Sequence, residues 1–202
     1  ADGDSLNYSV SGTVTEINSD GILSFINTPD YETDANSYSL SITVTDGVFS
    51  VSQDIEVSLV NLNDNSPVFT TPANFNINEN DTAVTTIKAT DADGNPISFE
   101  VTGPDLSISS AGILRFIVAP DYETKSSYSA TLTARDASVD GSNFTTQDIT
   151  ISINNLNDNS PAITSSASFG ADENQTAITT ITAVDADGDN IFYSVSGSDL
   201  TI

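Results

Sequence analysis

The sequence predicts an all-β chain of tandem Greek-key β-sandwiches, on three observations. Apolar residues alternate with Ser and Thr at a period of two. Blocks of about ninety residues repeat along the chain. Gly, Pro, Asn and Asp punctuate the apolar runs at short intervals, and no stretch carries helical periodicity.

The strands follow from the alternation. Tyr38, Leu40, Ile42 and Val44 are separated by Ser and Thr, as are Tyr128, Ala130, Leu132 and Ala134. Ile55, Val57 and Leu59 continue the pattern, and Ile149, Ile151 and Ile153 copy it. Shorter runs at Phe75–Ile77, Val84–Ala89, Ile97–Val101, Leu106–Ile108 and Leu114–Ile117 bring a unit to about seven strands, the number a Greek-key sandwich needs.

The repeat sets the domain organisation. Asn61-Leu-Asn-Asp-Asn-Ser-Pro67 recurs 94 positions later as Asn155-Leu-Asn-Asp-Asn-Ser-Pro161, and Ala89-Thr-Asp-Ala-Asp-Gly94 recurs at the same offset as Ala183-Val-Asp-Ala-Asp-Gly188. Pro29-Asp-Tyr-Glu-Thr33 returns as Pro120-Asp-Tyr-Glu-Thr124, 91 positions on. Most of the difference sits in one loop: Asp46 to Gln53 is seven steps, Asp136 to Gln147 eleven, as expected of a surface insertion. Three repeats are expected: 1–67 without its opening strands, 68–161 complete, and 162–202 without its closing strands.

Composition narrows the chemistry. The 202 residues include 29 Asp and Glu against 4 Lys and Arg, a net charge of −25, with no His, Cys, Met or Trp. That removes a Ser-His-Asp triad, a thiol nucleophile and ordinary zinc, haem or iron–sulfur ligation. So few cations cannot neutralise a run of phosphates, which argues against nucleic acid, and anionic membranes are disfavoured likewise. No segment approaches 18 apolar residues, so no membrane insertion is expected. Asp outnumbers Glu by 22 to 7. Asp favours turns and short-range oxygen coordination, so either the chain expects cations or it presents a solvated acidic surface.

The acids recur at loops and strand ends. Glu79, copied at Glu173, lies between two short runs. Asp91 and Asp93 form an Asp-x-Asp-Gly turn, copied at Asp185 and Asp187 and in part at Asp2. Asp30/Glu32 and Asp121/Glu123 flank Tyr31 and Tyr122; Asp46 and Asp136 close the long alternating runs; the Asn-Leu-Asn-Asp-Asn segments precede Pro67 and Pro161. An EF-hand is excluded, because counting from Asp91 puts Pro96 at position six and Thr102 at twelve, where Gly and a bidentate Glu are required.

In this order the motifs closely resemble the cadherin repeat: Glu79, Asp91/Asp93, Gly112-Ile113, Asp121-Tyr-Glu123, Asp136 and Asn155-Leu-Asn-Asp-Asn159. The resemblance spans essentially the whole chain. It departs at Asn61 and Asn155, where the family usually has Asp, and no Trp anchor for strand-swapped adhesion is present. The resemblance implies immunoglobulin-like seven-stranded sandwiches of the cadherin type, with Ca²⁺ clustered where successive repeats meet. For the first junction it implies Asp30, Glu32, Asn63, Asp64, Asp91, Asp93 and Asp136, with backbone oxygens from Leu62, Asn65 and Asn95. For the second it implies Glu79, Asp121, Glu123, Asn157, Asp158, Asp185 and Asp187, with backbone oxygens from Leu156 and Asn159. A complete junction would crowd about seven carboxylates, and the family's usual number of about three Ca²⁺ nearly balances them.

The resemblance further implies an extracellular or cell-surface location and a non-enzymatic role. Ca²⁺ would lock the linkers of a stalk or filament belonging to an adhesion protein, whose partners are calcium and neighbouring repeats. Two alternatives stay open: a module binding carbohydrate or a partner domain, and self-association in which strands of one copy complete another. A glycosidase using paired carboxylates fits poorly, since every such carboxylate recurs in each unit. Asn-x-Ser/Thr sequons occur at Asn7, Asn80, Asn143 and Asn174, and Tyr31 and Tyr122 are expected to pack beneath their own loops.

Overall fold

The computed structural model describes residues 5–136, 143–197 and 200–201, and every regular element among them is a β-strand. The described residues form two compact units. One holds 5–66, 91–96 and Asn143; the other holds 67–90, 97–136 and the described residues from 144 onward.

In the first unit, β1 (Asn7–Val10), β4 (Ser37–Thr45) and β5 (Ser50–Ser58) form an antiparallel sheet in the order β1-β4-β5. β2 (Thr15–Ile17) and β3 (Leu23–Phe25) pair beside it. The alternation read from the sequence fixes the register: Tyr8 faces Val44, Val10 faces Ile42 and Leu40 faces Ile55. Leu40 and Thr15 are buried. The Phe25 and Tyr38 rings meet edge-on at 5.2 Å between centroids, a geometry aromatic pairs prefer. The β4–β5 turn is organised by Asp46, whose Oδ1 accepts the amides of Val48 at 2.8 Å and Phe49 at 2.6 Å. Those two bonds, Phe49 first, hold the Asp46 carboxyl below its ordinary pKa.

The second unit contains the complete sandwich. Its strands are β6 (Val68–Phe69), β7 (Asn74–Asn78), β8 (Ala83–Thr86), β9 (Ala89–Thr90), β10 (Ser98–Val101), β11 (Leu106–Ile108), β12 (Ile113–Phe116), β13 (Ser127–Arg135) and β14 (Phe144–Asn154). One sheet runs β10-β13-β14-β7, the other β11-β12-β8, and β6 pairs with β9. All contacts are antiparallel except β14–β7, which is parallel from Thr150↔Asn74 to Asn154↔Asn78. Inward residues of both layers make the core: Ile87, Leu106, Leu114 and Phe116 meet Leu132, Ile149, Ile151 and Ile153. Burying each such side chain contributes about 1.5–3 kcal/mol. Phe116 and Tyr128 repeat the edge-on pairing of Phe25 and Tyr38, at 4.7 Å.

Two sequence expectations change. The run Val84–Ala89 is not one strand, because the chain crosses between layers at Ile87 and Lys88. The Ile87 amide donates to the Gly112 carbonyl at 2.8 Å, while the Lys88 amide donates to Thr71 Oγ1 at 2.7 Å. Hence β8 pairs with β12, and β9 with β6. Among the described residues from 162 onward the only strands are β15 (Ala162–Ile163) and β16 (Ala183–Val184), the copies of β6 and β9. The copies of β7, β8 and β10 remain irregular. In the complete repeat those strands bond to β14, β12 and β13.

Gly112 is required where it stands. Its φ is +79°, and a Cβ there would lie 2.3 Å from the Ile87 carbonyl oxygen.

Candidate metal centre

In the first unit the Asp30–Glu32 loop, the 61–65 segment and the 91–96 turn converge. Asp30 shapes its loop: Oδ1 accepts the Glu32 amide at 2.9 Å, and its carbonyl accepts the Asp34 amide at 2.9 Å. The first of these bonds is the main reason its carboxyl lies below the ordinary range. Asp91 Oδ1 accepts the Asn95 amide at 3.1 Å, closing a turn in which Gly94 has a φ of +80°. Asn65 reaches across this turn, its amide donating to Asp93 Oδ2 at 2.8 Å and its side chain to Asp93 Oδ1 at 3.2 Å. These contacts bring carboxylate oxygens of Glu32, Asp64 and Asp93 within 4.8 Å of one another.

Such crowding moves the carboxyls in opposite directions. Burial first, then hydrogen bonding with Asp93 and Asp30, pushes Glu32 above its ordinary pKa. At Asp93 burial also works upward, but the hydrogen bonds from Asn65 lead those that outweigh it, and the net shift is downward. Among the described carboxylates of this cluster, Glu32 Oε1 and Asp91 Oδ2 are buried and without a hydrogen-bond partner. A buried anionic oxygen without a partner is costly.

The second unit carries a fuller version of the arrangement. Glu79 is only 2% exposed. Its Oε2 accepts the Tyr122 amide at 2.8 Å and its Oε1 the Leu156 amide at 2.7 Å, so one buried carboxylate ties the Asp121–Glu123 loop to the 155–159 segment. Asp121 caps its own loop by accepting the Thr124 hydroxyl at 2.9 Å and amide at 3.2 Å; these bonds hold its pKa down. Oxygens of Glu79, Glu123, Asp158 and Asp187 all lie within 4.8 Å of one another. Asn159 is the principal neutral donor among them. Its backbone amide meets Asp187 Oδ2 at 2.8 Å, and its side-chain amide reaches Asp158 at 2.8 Å, Asp187 at 3.0 Å and Glu123 at 3.3 Å. Asn159 lowers the Asp187 pKa, whereas burial and then the charges of Glu79 and Asp187 raise that of Glu123.

Most sequence-predicted ligands therefore converge by side chain or lie on the converging segments. Leu62 and Asn63, like Leu156 and Asn157, lie on those segments, and the Leu156 carbonyl accepts the Asp158 amide at 3.0 Å. Asp136 is buried immediately after β13 and belongs to the second unit. Asp2 lies outside the described residues. Tyr122 packs against the core of the complete repeat, in line with the expectation for its loop.

Three participants were not foreseen. Asp189 joins Asp185 and Asp187 in a third carboxylate group; it is the repeat copy of Asn95, which was the available signal. Asn80 donates its side-chain amide to Asp158. Its φ of +65°, matched by +68° at its copy Asn174, marks the same turn in both repeats. Asn143 donates to the Asn63 carbonyl at 3.0 Å and to Asn63 Oδ1 at 2.9 Å.

The donor set consists of carboxylate, amide and carbonyl oxygens, with no nitrogen or sulfur ligand. Hard, mixed oxygen ligands from several loops suit Ca²⁺ better than Mg²⁺, which demands a stricter octahedron. The donorless oxygens of Glu32 and Asp91 meet the same requirement.

No profile of a known protein family matches the chain. It is 33% identical over 79% of its length to the Fat-like cadherin-related tumor suppressor homolog of Drosophila melanogaster, and 33% identical over 70% of its length to human Cadherin-23. It spans only 4% and 5% of those proteins. Among solved structures it is similar to mouse Cadherin-23 EC22-24, with a TM-score of 0.74 at 23% identity over 90% of this chain and 65% of that one. A protocadherin gammaB7 EC3-6 cis-dimer structure gives a TM-score of 0.73 at 26% identity, over 90% of this chain and 52% of that one.

Proposed function

The chain is made of cadherin repeats, and from that premise we propose that it is an extracellular, cell-adhesion-type segment whose linkers are rigidified by Ca²⁺. The repeats are 1–67, 68–161 and 162–202. Ions would be held at the first linker by Glu32, Asp64, Asp91 and Asp93, and at the second by Glu79, Glu123, Asp158, Asp185 and Asp187. About three ions per complete junction would nearly cancel its carboxylate charge. The segment then serves as a stalk or filament that spaces and presents whatever lies beyond it.

One observation carries this reading: four carboxylates, one of them buried, crowd within 4.8 Å at Glu79, Glu123, Asp158 and Asp187. Without a cation, like charges at that spacing repel, and Asn amides compensate only part of it. With one, residues far apart in the chain share a ligand and the hinge between them stiffens. Recurrence of each carboxylate in successive repeats belongs to a scaffold and not to one active site.

The test is a Ca²⁺ titration of the chain in chelator-treated buffer, followed by thermal melting and small-angle scattering. Ca²⁺ at roughly 10⁻⁴–10⁻³ M, the range of extracellular modules, is expected to raise the melting temperature and lengthen the particle. Asp158→Ala should abolish the response of the second linker. No change in either property at saturating Ca²⁺ would overturn the proposal.

A further inference from the structure

The first position of each linker is occupied by an Asn whose amide does something no carboxylate could. Asn61 Nδ2 donates to the backbone carbonyl of Asp93 at 3.1 Å. Asn155 Nδ2 donates to the backbone carbonyl of Asp187 at 2.9 Å. Each partner lies 32 positions further along, and each is the second acid of an Asp-x-Asp-Gly turn whose glycine has a φ near +80°. Four residues after each Asn, the amides of Asn65 and Asn159 donate to Oδ2 of the same Asp, both at 2.8 Å. The two ends of one short linker therefore grip one Asp at its carbonyl and at its carboxylate. Asn65 and Asn159 hold the carboxylate end alone, through amide and side chain, whereas a further anchor at the carbonyl fixes the orientation of the whole residue.

We propose that Asn61 and Asn155 are positioning residues that dock the Asp-x-Asp turn on its linker before any cation arrives. The proposal rests on the calcium reading for its consequence, pre-set ligands, but not for the docking itself. Both Asn side chains are exposed, so packing does not hold them; the hydrogen bond sets their direction. An Asp at either position has the same size and shape but only acceptor atoms at neutral pH. It would set acceptor against acceptor and add a charge to an already repelling cluster. Groups that orient metal ligands from outside the coordination sphere typically change affinity by 10–100-fold when removed.

The experiment uses the full chain with both positions changed, either to Leu (Asn61→Leu with Asn155→Leu), which removes the donor without adding charge, or to Asp. Amide hydrogen exchange at Asn65 and Asn159 is followed by NMR in chelator, and Ca²⁺ binding is followed by calorimetry. The Leu pair is expected to speed exchange at both amides and to weaken Ca²⁺ binding about tenfold. The Asp pair should do the same or more. If the Leu pair leaves both quantities unchanged while the Asp pair alters them, charge and not the donor is responsible, and the inference fails. If the Leu pair does not fold, Asn61→Ala with Asn155→Ala carries the same two readouts. A wild-type chain that binds no Ca²⁺ overturns the calcium reading, while faster exchange in chelator would still establish the docking role.

Discussion

Glu123 and Gly112 show how single residues are constrained from opposite directions. Glu123 is held above its ordinary pKa by burial and by its acidic neighbours, so the folded chain keeps its proton to higher pH than the unfolded chain does. Its contribution is fully present below the ordinary carboxylate value and is lost as pH rises through the raised one. Asp121 and Asp187, shifted downward, contribute stability above the ordinary value and lose it as pH falls through their lowered ones. Glu123→Gln is therefore expected to raise the melting temperature at neutral pH in chelator by a few degrees, and to have little effect in mild acid. In saturating Ca²⁺ the sign should reverse, because a ligand is gone; melting curves in the two buffers check the crossing. Gly112 is bound by space. Gly112→Ala drives a Cβ into the Ile87 carbonyl in a left-handed conformation, and a loss of about 1–3 kcal/mol is expected from denaturant titration.

At the scale of strands, the two units differ in how completely apolar faces are covered. The complete repeat seals Leu114, Leu132 and Ile151 entirely, whereas among the described residues of the first unit Leu40 is the one buried large hydrophobic. Leu132→Ala, deep in the sandwich, should cost about 2–5 kcal/mol. Hydrogen exchange should be slowest in β13 and β14 and fast across 168–180, where no strand forms. The long strands were legible in the sequence because Ser and Thr alternate with apolar residues at Tyr38–Val44 and Ile149–Ile153, and period two has one structural meaning. The crossing at Ile87 was not, because an apolar run does not record which sheet supplies its hydrogen bonds. Nor was it legible which strands of 162–202 would form, since a strand's existence depends on partners outside its own residues. The carboxylate groups were legible by recurrence, but the direction of the Asn61, Asn80 and Asn143 amides was not, because repetition locates a residue without aiming its donor.

For the whole molecule, a charge of −25 makes the solution conditions part of the structure. In chelator, raising the ionic strength should stabilise the chain by screening repulsion between its acid groups. In Ca²⁺ the same salt should have a smaller effect, since the strongest repulsion is already neutralised; melting temperatures across a salt series in both buffers would show the two slopes. The parallel pairing of β7 with β14 carries a mechanical consequence. The chain enters this seam at Asn74 and leaves it at Asn154, at opposite ends of five paired residues. Tension along the polypeptide therefore loads these rungs in shear, all together, instead of peeling them one at a time. A repeat stitched near its start to its last strand resists extension at that seam.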